Sequence, residues 1–234
     1  MKKLSTLFVA FAMVSLSASA QEVNFKSKRG EYMLPEKGDW ALGFNADGVF
    51  EYVGNAFNNS GNNAPSVDFL KGGKFVGKMF NTDKKATRYI LNLRVGSSKT
   101  NTGEDASTSL TGFELAVGYG KEWRRGKTRL QGFYGIDGMV GVSSSSSKVV
   151  NGPNTTKNTA GFGVNLGANG FIGAEYFIFP KISFGAQYEY GLNVAFTGKS
   201  KTTVNGTSTS NNDSSTGVNL GGVGVASMSV FLHF

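Results

Sequence analysis

The chain has 234 residues, with 24 Lys and Arg against 16 Asp and Glu, one histidine and no cysteine. The lack of cysteine excludes disulfides, thiolate metal sites and a lipid-modified N-terminal cysteine. A net charge of +8 that is spread along the chain is not the basic stripe of a nucleic-acid binder.

Lys2 and Lys3 form a basic start, Leu7 to Leu16 is apolar, and Ala18-Ser19-Ala20 is a small-x-small cleavage site. This pattern predicts a signal peptide over 1–20, export through the Sec pathway and a mature chain that begins at Gln21. The apolar run is too short for a membrane anchor, which needs roughly 20 residues. Residues 21–38 are polar, contain Pro35 and lack periodicity. They are expected to be a short periplasmic lead-in.

From Asp39 onward the chain alternates with period two, the signature of strands that present two different faces. The first strand sets Trp40, Leu42, Phe44 and Ala46 against Asp39, Ala41, Gly43 and Asn45, and the pattern can run on through Phe50 and Tyr52. Residues 54–68 are a Gly/Asn-rich loop. A second strand, about 69–80, has Phe69, Phe75 and Met79 on one face and Lys74 and Lys78 on the other. After a tight turn at 81–85, a third over 86–97 sets Tyr89, Leu91, Leu93 and Val95 against Arg88, Asn92 and Arg94. Residues 98–108 read as a polar loop. A fourth, about 109–123, sets Phe113, Leu115, Val117, Tyr119 and Trp123 against Glu114, Ala116, Gly118, Gly120 and Glu122.

The RRGK stretch at 124–127 reads as the second tight turn. A fifth strand over 128–143 sets Leu130, Tyr134, Ile136, Val140 and Val142 against Arg129, Gln131 and Asp137. A Ser/Asn-rich loop follows at 144–158. A sixth, 159–179, sets Phe162, Val164, Leu166, Ile172, Tyr176 and Ile178 against Asn165, Asn169 and Glu175. Pro180-Lys181 turns the chain into a seventh, 182–198, with Ile182, Phe184, Tyr188, Tyr190, Leu192, Val194 and Phe196 opposite Ser183, Gln187, Glu189 and Asn193. A polar loop at 199–216 leads to an eighth strand, 217–234. There Val218, Leu220, Met228, Val230, Leu232 and Phe234 share one register with glycines and alanine.

This reading is all-β: an eight-stranded antiparallel up-and-down transmembrane β-barrel over 39–234, with long and short connections alternating. With both termini periplasmic, the short turns fall inside the cell envelope and the long loops outside, as outer-membrane barrels require. A lipocalin-like soluble barrel would alternate equally well with its apolar face turned inward. Trp40, Tyr89, Trp123, Tyr176 and Phe184 lie near the periplasmic strand ends, where membrane-interface aromatics belong. The inward register predicts a polar network in the lumen of Lys74, Lys78, Arg88, Arg94, Glu114, Glu122, Arg129, Asp137, Glu175 and Glu189. Eight strands enclose just enough space for side chains to fill, so these ions are expected to plug the barrel.

These features resemble the small eight-stranded bacterial outer-membrane barrels of the OmpA/OmpX type. Turns such as MFNTDKKATRYILNL (79–93) are similar to the outer membrane protein beta-barrel domains common in Bacteroidetes-like Gram-negative bacteria. The resemblance implies that Phe234 is an assembly signal read by the barrel-assembly machinery, with periplasmic chaperones as partners during biogenesis. It implies outer-membrane lipid and lipopolysaccharide as surroundings, and a monomer. The peptidoglycan-binding domain of full-length OmpA has no counterpart, so no cell-wall tether is expected. The implied function is non-enzymatic: an envelope-structural protein whose surface loops serve adhesion or another extracellular interaction. A narrow porin-like barrel for small or apolar solutes is the alternative, and a surface enzyme acting on lipid A or peptides is a weaker one. The sole histidine, His233, has no base partner nearby in sequence and is expected at the periplasmic rim. Lys99, Lys148, Lys157, Lys199 and Lys201 read as loop lysines able to meet lipopolysaccharide phosphates. No cofactor, metal or nucleic acid is expected, since neither a phosphate loop nor a ligand cluster is present.

Overall fold

The computed structural model describes residues 26–46, 73–103, 105–211, 214–222 and 227–234. The expected signal peptide, the 54–68 loop, Phe50, Tyr52 and Phe69 lie outside the described residues. Within them the chain is all-β, with twelve antiparallel strands in one sheet. The strands are β1 (Trp40–Asn45), β2 (Gly73–Thr82), β3 (Lys85–Gly103), β4 (Ala106–Arg125), β5 (Leu130–Asn151), β6 (Asn154–Thr159), β7 (Gly163–Phe179), β8 (Ile182–Thr197), β9 (Lys201–Val204), β10 (Thr207–Ser210), β11 (Ser215–Gly222) and β12 (Ser227–His233).

The sheet is partly ring-closed. Pairing runs from β1 through β2, β3, β4 and β5 to β7, β8 and β12, and β12 pairs back onto β1 with Leu42 opposite Leu232. The strands β6, β9 and β10 lie off this ring and continue the sheet from the outer part of β5. The strand β11 pairs with β8.

Twelve strands replace the expected eight because the expected eighth strand, 217–234, is divided into β11 and β12, and because three stretches read as loops are hairpins, which add β6, β9 and β10. The 98–108 stretch is the end of β3 and the start of β4, 144–158 is the end of β5 with β6, and 199–216 holds β9, β10 and the start of β11. Their Ser, Thr and Val residues suit a pleated surface. Two of the three are closed by tight two-residue turns, Gly152-Pro153 between β5 and β6 and Asn205-Gly206 between β9 and β10. Asn205 (φ 48°) and Gly206 (φ 86°) both adopt the left-handed conformation that a tight two-residue hairpin needs, and Gly152 (φ 56°) supplies it at the first position of the Gly152-Pro153 turn. Because β6 pairs with β9, the two hairpins fuse into one extension of the sheet.

Inside the ring, bulky side chains lie against glycines of neighbouring strands. The Phe231 ring covers Gly43, Phe171 covers Gly135 and Phe133 covers Gly173, each so closely that a Cβ would fall within 3.0 Å of the ring. Ala41, Val76, Phe80, Ala86 and Phe231 form a small apolar core at the end where β1 starts. The lead-in is not purely a polar tail: Met33 and Pro35 are buried, and Gly38 N donates to Phe80 O at 2.8 Å.

Candidate functional site

The strongest chemical feature is a buried ion network within the ring. Period-two alternation sends Lys78 (β2), Arg88 (β3), Glu122 and Arg124 (β4), Asp137 (β5) and Glu175 (β7) to the same side of the closed sheet, and all six are buried. Lys78 Nζ lies 3.2 Å from Glu122 and 2.9 Å from Glu175. Arg124 donates to Glu122 at 2.9 Å, to Glu175 at 3.0 Å and to Gln131 at 2.8 Å. Arg88 reaches Glu122 at 3.0 Å, Asp137 at 3.3 Å and Gln187 at 3.3 Å. Three cations face three anions, so the cluster is balanced, the condition for keeping ions in a low-dielectric interior. The aromatic rings reinforce it: Lys78 Nζ stands 4.0 Å over Phe231 and 4.7 Å over Phe133, and the Arg88 guanidinium 3.9 Å over Phe171.

The remaining expected lumen residues divide. Lys74 and Glu189 pair, part-buried. Arg94 and Glu114 also pair, at 3.4 Å, but their side chains are 55% and 34% exposed. They sit at the mouth of the ring, because the strands run on past them. Arg129 departs from the expectation. It is exposed and lies before β5, so the inner register of that strand begins at Gln131, which is buried as expected. Arg124, assigned by the sequence to a turn, is still on β4 and buried. The RRGK composition hid it.

His233 lies at the end of the ring that carries the short turns, its backbone N–H donating to Lys181 O at 2.9 Å. It is buried, not at an open rim, with Nε2 2.9 Å from Ser183 Oγ and 3.2 Å from Glu175 Oε1. Ser183 Oγ donates to Glu175 at 2.5 Å. A nucleophilic relay needs the base to hold serine on one ring nitrogen and carboxylate on the other. Here both partners sit on Nε2, and Ser183 is fully buried. The cluster is a structural hydrogen-bond knot. Among the described residues no group of three or more His, Asp or Glu is arranged to hold a metal ion.

The outer face of the sheet is apolar. One ladder row runs Phe44, Phe75, Leu91, Val117, Val140, Leu166, Val194 and Val218 from strand to strand. Ile136, Ile172, Tyr188 and Leu192 are likewise exposed on the outer side. Trp40 stacks on Tyr89 at 6.1 Å and Trp123 on Tyr134 at 5.8 Å. Tyr176 pairs across the ladder with Phe184. Lys121, missed in the sequence, shares this face, lies 5.2 Å over Tyr119 and donates to Thr87 at 2.9 Å. Phe234 is exposed, and its N–H donates to Trp40 O at 2.8 Å. At the other end, a cavity of about 900 Å³ opens between the extended hairpins, lined by Arg94, Ser98, Ser147, Asn158 and Thr202 among others.

No family model matches the chain, and no curated protein or solved structure does.

Proposed function

We propose that this chain is a non-enzymatic integral outer-membrane protein, an eight-stranded transmembrane β-barrel with both termini periplasmic. On this reading β11 and β12 are two parts of one last wall strand, and β6, β9 and β10 stand outside the membrane. The observation that carries it is the inversion of the usual polarity: large apolar side chains cover the outside while Lys78, Arg88, Arg124, Glu122 and Glu175 are fully enclosed. In water that outer surface would be an aggregation liability. In a bilayer it is the lipid face, and ring closure removes the open edge that hydrocarbon forbids.

Strand lengths support the same reading. A membrane crossing takes about 9–11 tilted residues, whereas β3, β4 and β5 have 19, 20 and 22. The excess forms the Ser/Thr-rich extension, a rigid platform for extracellular contact of the kind exposed segments supply. The balanced ion network fills the bore, so the barrel is an envelope-structural element that presents a surface, not a conduit.

Fractionation with gel migration tests the assignment. The protein is expected in the outer-membrane fraction, migrating faster unboiled than boiled, with no steady conductance in planar bilayers. Absence of a heat shift removes the barrel, and a steady ohmic conductance removes the plug.

A further inference from the structure

The extension carries lysines on one face in a pattern that the sequence alone does not reveal. Lys99 on β3 is opposite Ser109, Ser109 is opposite Lys148 on β5's ladder, Lys148 is directly opposite Lys157 on β6, and Lys157 is opposite Thr203 on β9. One row nearer the apolar band, Lys201 is opposite Thr159, which is opposite Ser146. All four lysines are exposed. Counting along β3 in steps of two from Leu91 and Val95 to Lys99, the row lies on the same side as the apolar ladder. Along β5 the steps from Val140 and Val142 to Lys148 give the same side. Lys199 is outside the strands and makes an interaction of its own, so it is not part of the row.

Like charges directly opposite on an antiparallel pair destabilise it, and Lys148 and Lys157 are such a pair. Among the described residues of the extension the only carboxylate is Asp105, in the turn between β3 and β4. Among the described residues no strand of the extension carries a carboxylate on that face to neutralise the row. Lys99 stands four residues beyond Val95 on β3, and Lys148 six residues beyond Val142 on β5, about 13–20 Å along a strand at its usual rise. At a strand tilt of about 35–45° that is roughly 9–16 Å of height, so the row starts just above a headgroup layer about 5–8 Å deep, into which the long lysine side chains can reach down.

We infer that Lys99, Lys148, Lys157 and Lys201 form a binding strip for the phosphorylated headgroups of outer-leaflet glycolipid. This rests on the outer-membrane reading above. Bridging phosphates would relieve the Lys148–Lys157 repulsion and lock the extension against the membrane surface. Lysine suits the task as a strongly hydrated, mobile point charge for phosphate.

The test uses the full-length protein folded in neutral detergent micelles, with binding of diphosphorylated lipid A measured by native mass spectrometry. One variant replaces Lys99, Lys148, Lys157 and Lys201 with Gln. A second replaces Lys37, Lys84, Lys85 and Lys181, toward the opposite end, with the same loss of charge. Wild type and the second variant are expected to bind alike, and the first at least tenfold more weakly, with its heat-shifted migration unchanged. Dephosphorylated lipid A is expected to bind wild type at least tenfold more weakly than the diphosphorylated form. Equal binding by the first variant, or equal loss in both variants, overturns the strip. Displacement of lipid A by low-millimolar inorganic phosphate would make it a generic anion site and overturn the glycolipid assignment. Loss of the heat shift in wild type would instead overturn the barrel reading itself.

Discussion

Replacing Glu175 with Gln tests how much of the fold depends on the balance of interior charge. Glu175 is fully buried and accepts from Lys78 at 2.9 Å, Arg124 at 3.0 Å and Ser183 at 2.5 Å. The amide keeps the shape and part of the hydrogen bonding but removes one of three buried anions. Lys78 and Arg124 are left sharing Glu122, at 3.2 and 2.9 Å. Breaking one member of a buried pair costs about 3–5 kcal/mol. Because both cations keep a second partner, the expected loss is at the lower end, about 3 kcal/mol. Glu114→Gln is the control, since its pair with Arg94 is largely exposed and worth at most about 1 kcal/mol. Urea unfolding in lipid vesicles, followed by the unboiled gel shift and tryptophan emission, reads both. Adding Lys78→Met to Glu175→Gln restores neutrality, so the double variant should recover at least about 1 kcal/mol over the sum of the single changes. A Glu175→Gln protein as stable as Glu114→Gln would refute the argument that charge balance holds the interior together.

Two further outcomes follow from the packing. Gly43→Ala drives a methyl into the Phe231 ring and should cost about 1–3 kcal/mol in the same unfolding assay. Gly112→Ala meets nothing within 4 Å and should stay within about 0.5 kcal/mol of wild type. Val140→Arg places a charge in the apolar row of the outer face, between Val117 and Leu166, where about 2–4 kcal/mol is lost at mid-bilayer. Ser109→Glu, on the same face in the extension between Lys99 and Lys148, should cost nothing in neutral lipid and gain up to about 1 kcal/mol.

The wall strands were legible in the sequence because long runs alternate sharply between apolar and charged residues. Tyr89 to Val95 against Arg88 to Arg94 is such a run, and the structure puts Arg88 inside and Tyr89 outside. The interior aromatics were not legible. Phe133, Phe171, Phe177 and Phe231 belong to the inner register, yet they read as more apolar strand residues until the facing glycines are known. The pairs Gly135–Phe171 and Gly173–Phe133 are cross-strand relations, fixed only by register. The buried knot of His233, Ser183 and Glu175 joins residues up to 58 apart in the chain, so proximity along the sequence could not reveal it. The extension was misread for a different reason. Serine and threonine give no hydrophobic alternation, so 98–108, 144–158 and 199–216 looked like solvated loops. The signal was present in Gly152-Pro153 and Asn205-Gly206, each a hairpin turn between short Val- and Thr-containing runs.

The central claim is that hydrocarbon, not water, contacts the outer row of the ring. The native chain contains no cysteine, so single cysteines at successive positions from Tyr134 to Val142 on β5 can be labelled one at a time in protein folded into vesicles. Cysteines at 136 and 140 should resist a membrane-impermeant maleimide, and nitroxides there should collide freely with oxygen dissolved in the bilayer. A cysteine at 148, beyond the apolar band on the same face, should react readily with the maleimide. Rapid aqueous labelling at 136 and 140, equal to that at 148, would contradict the account.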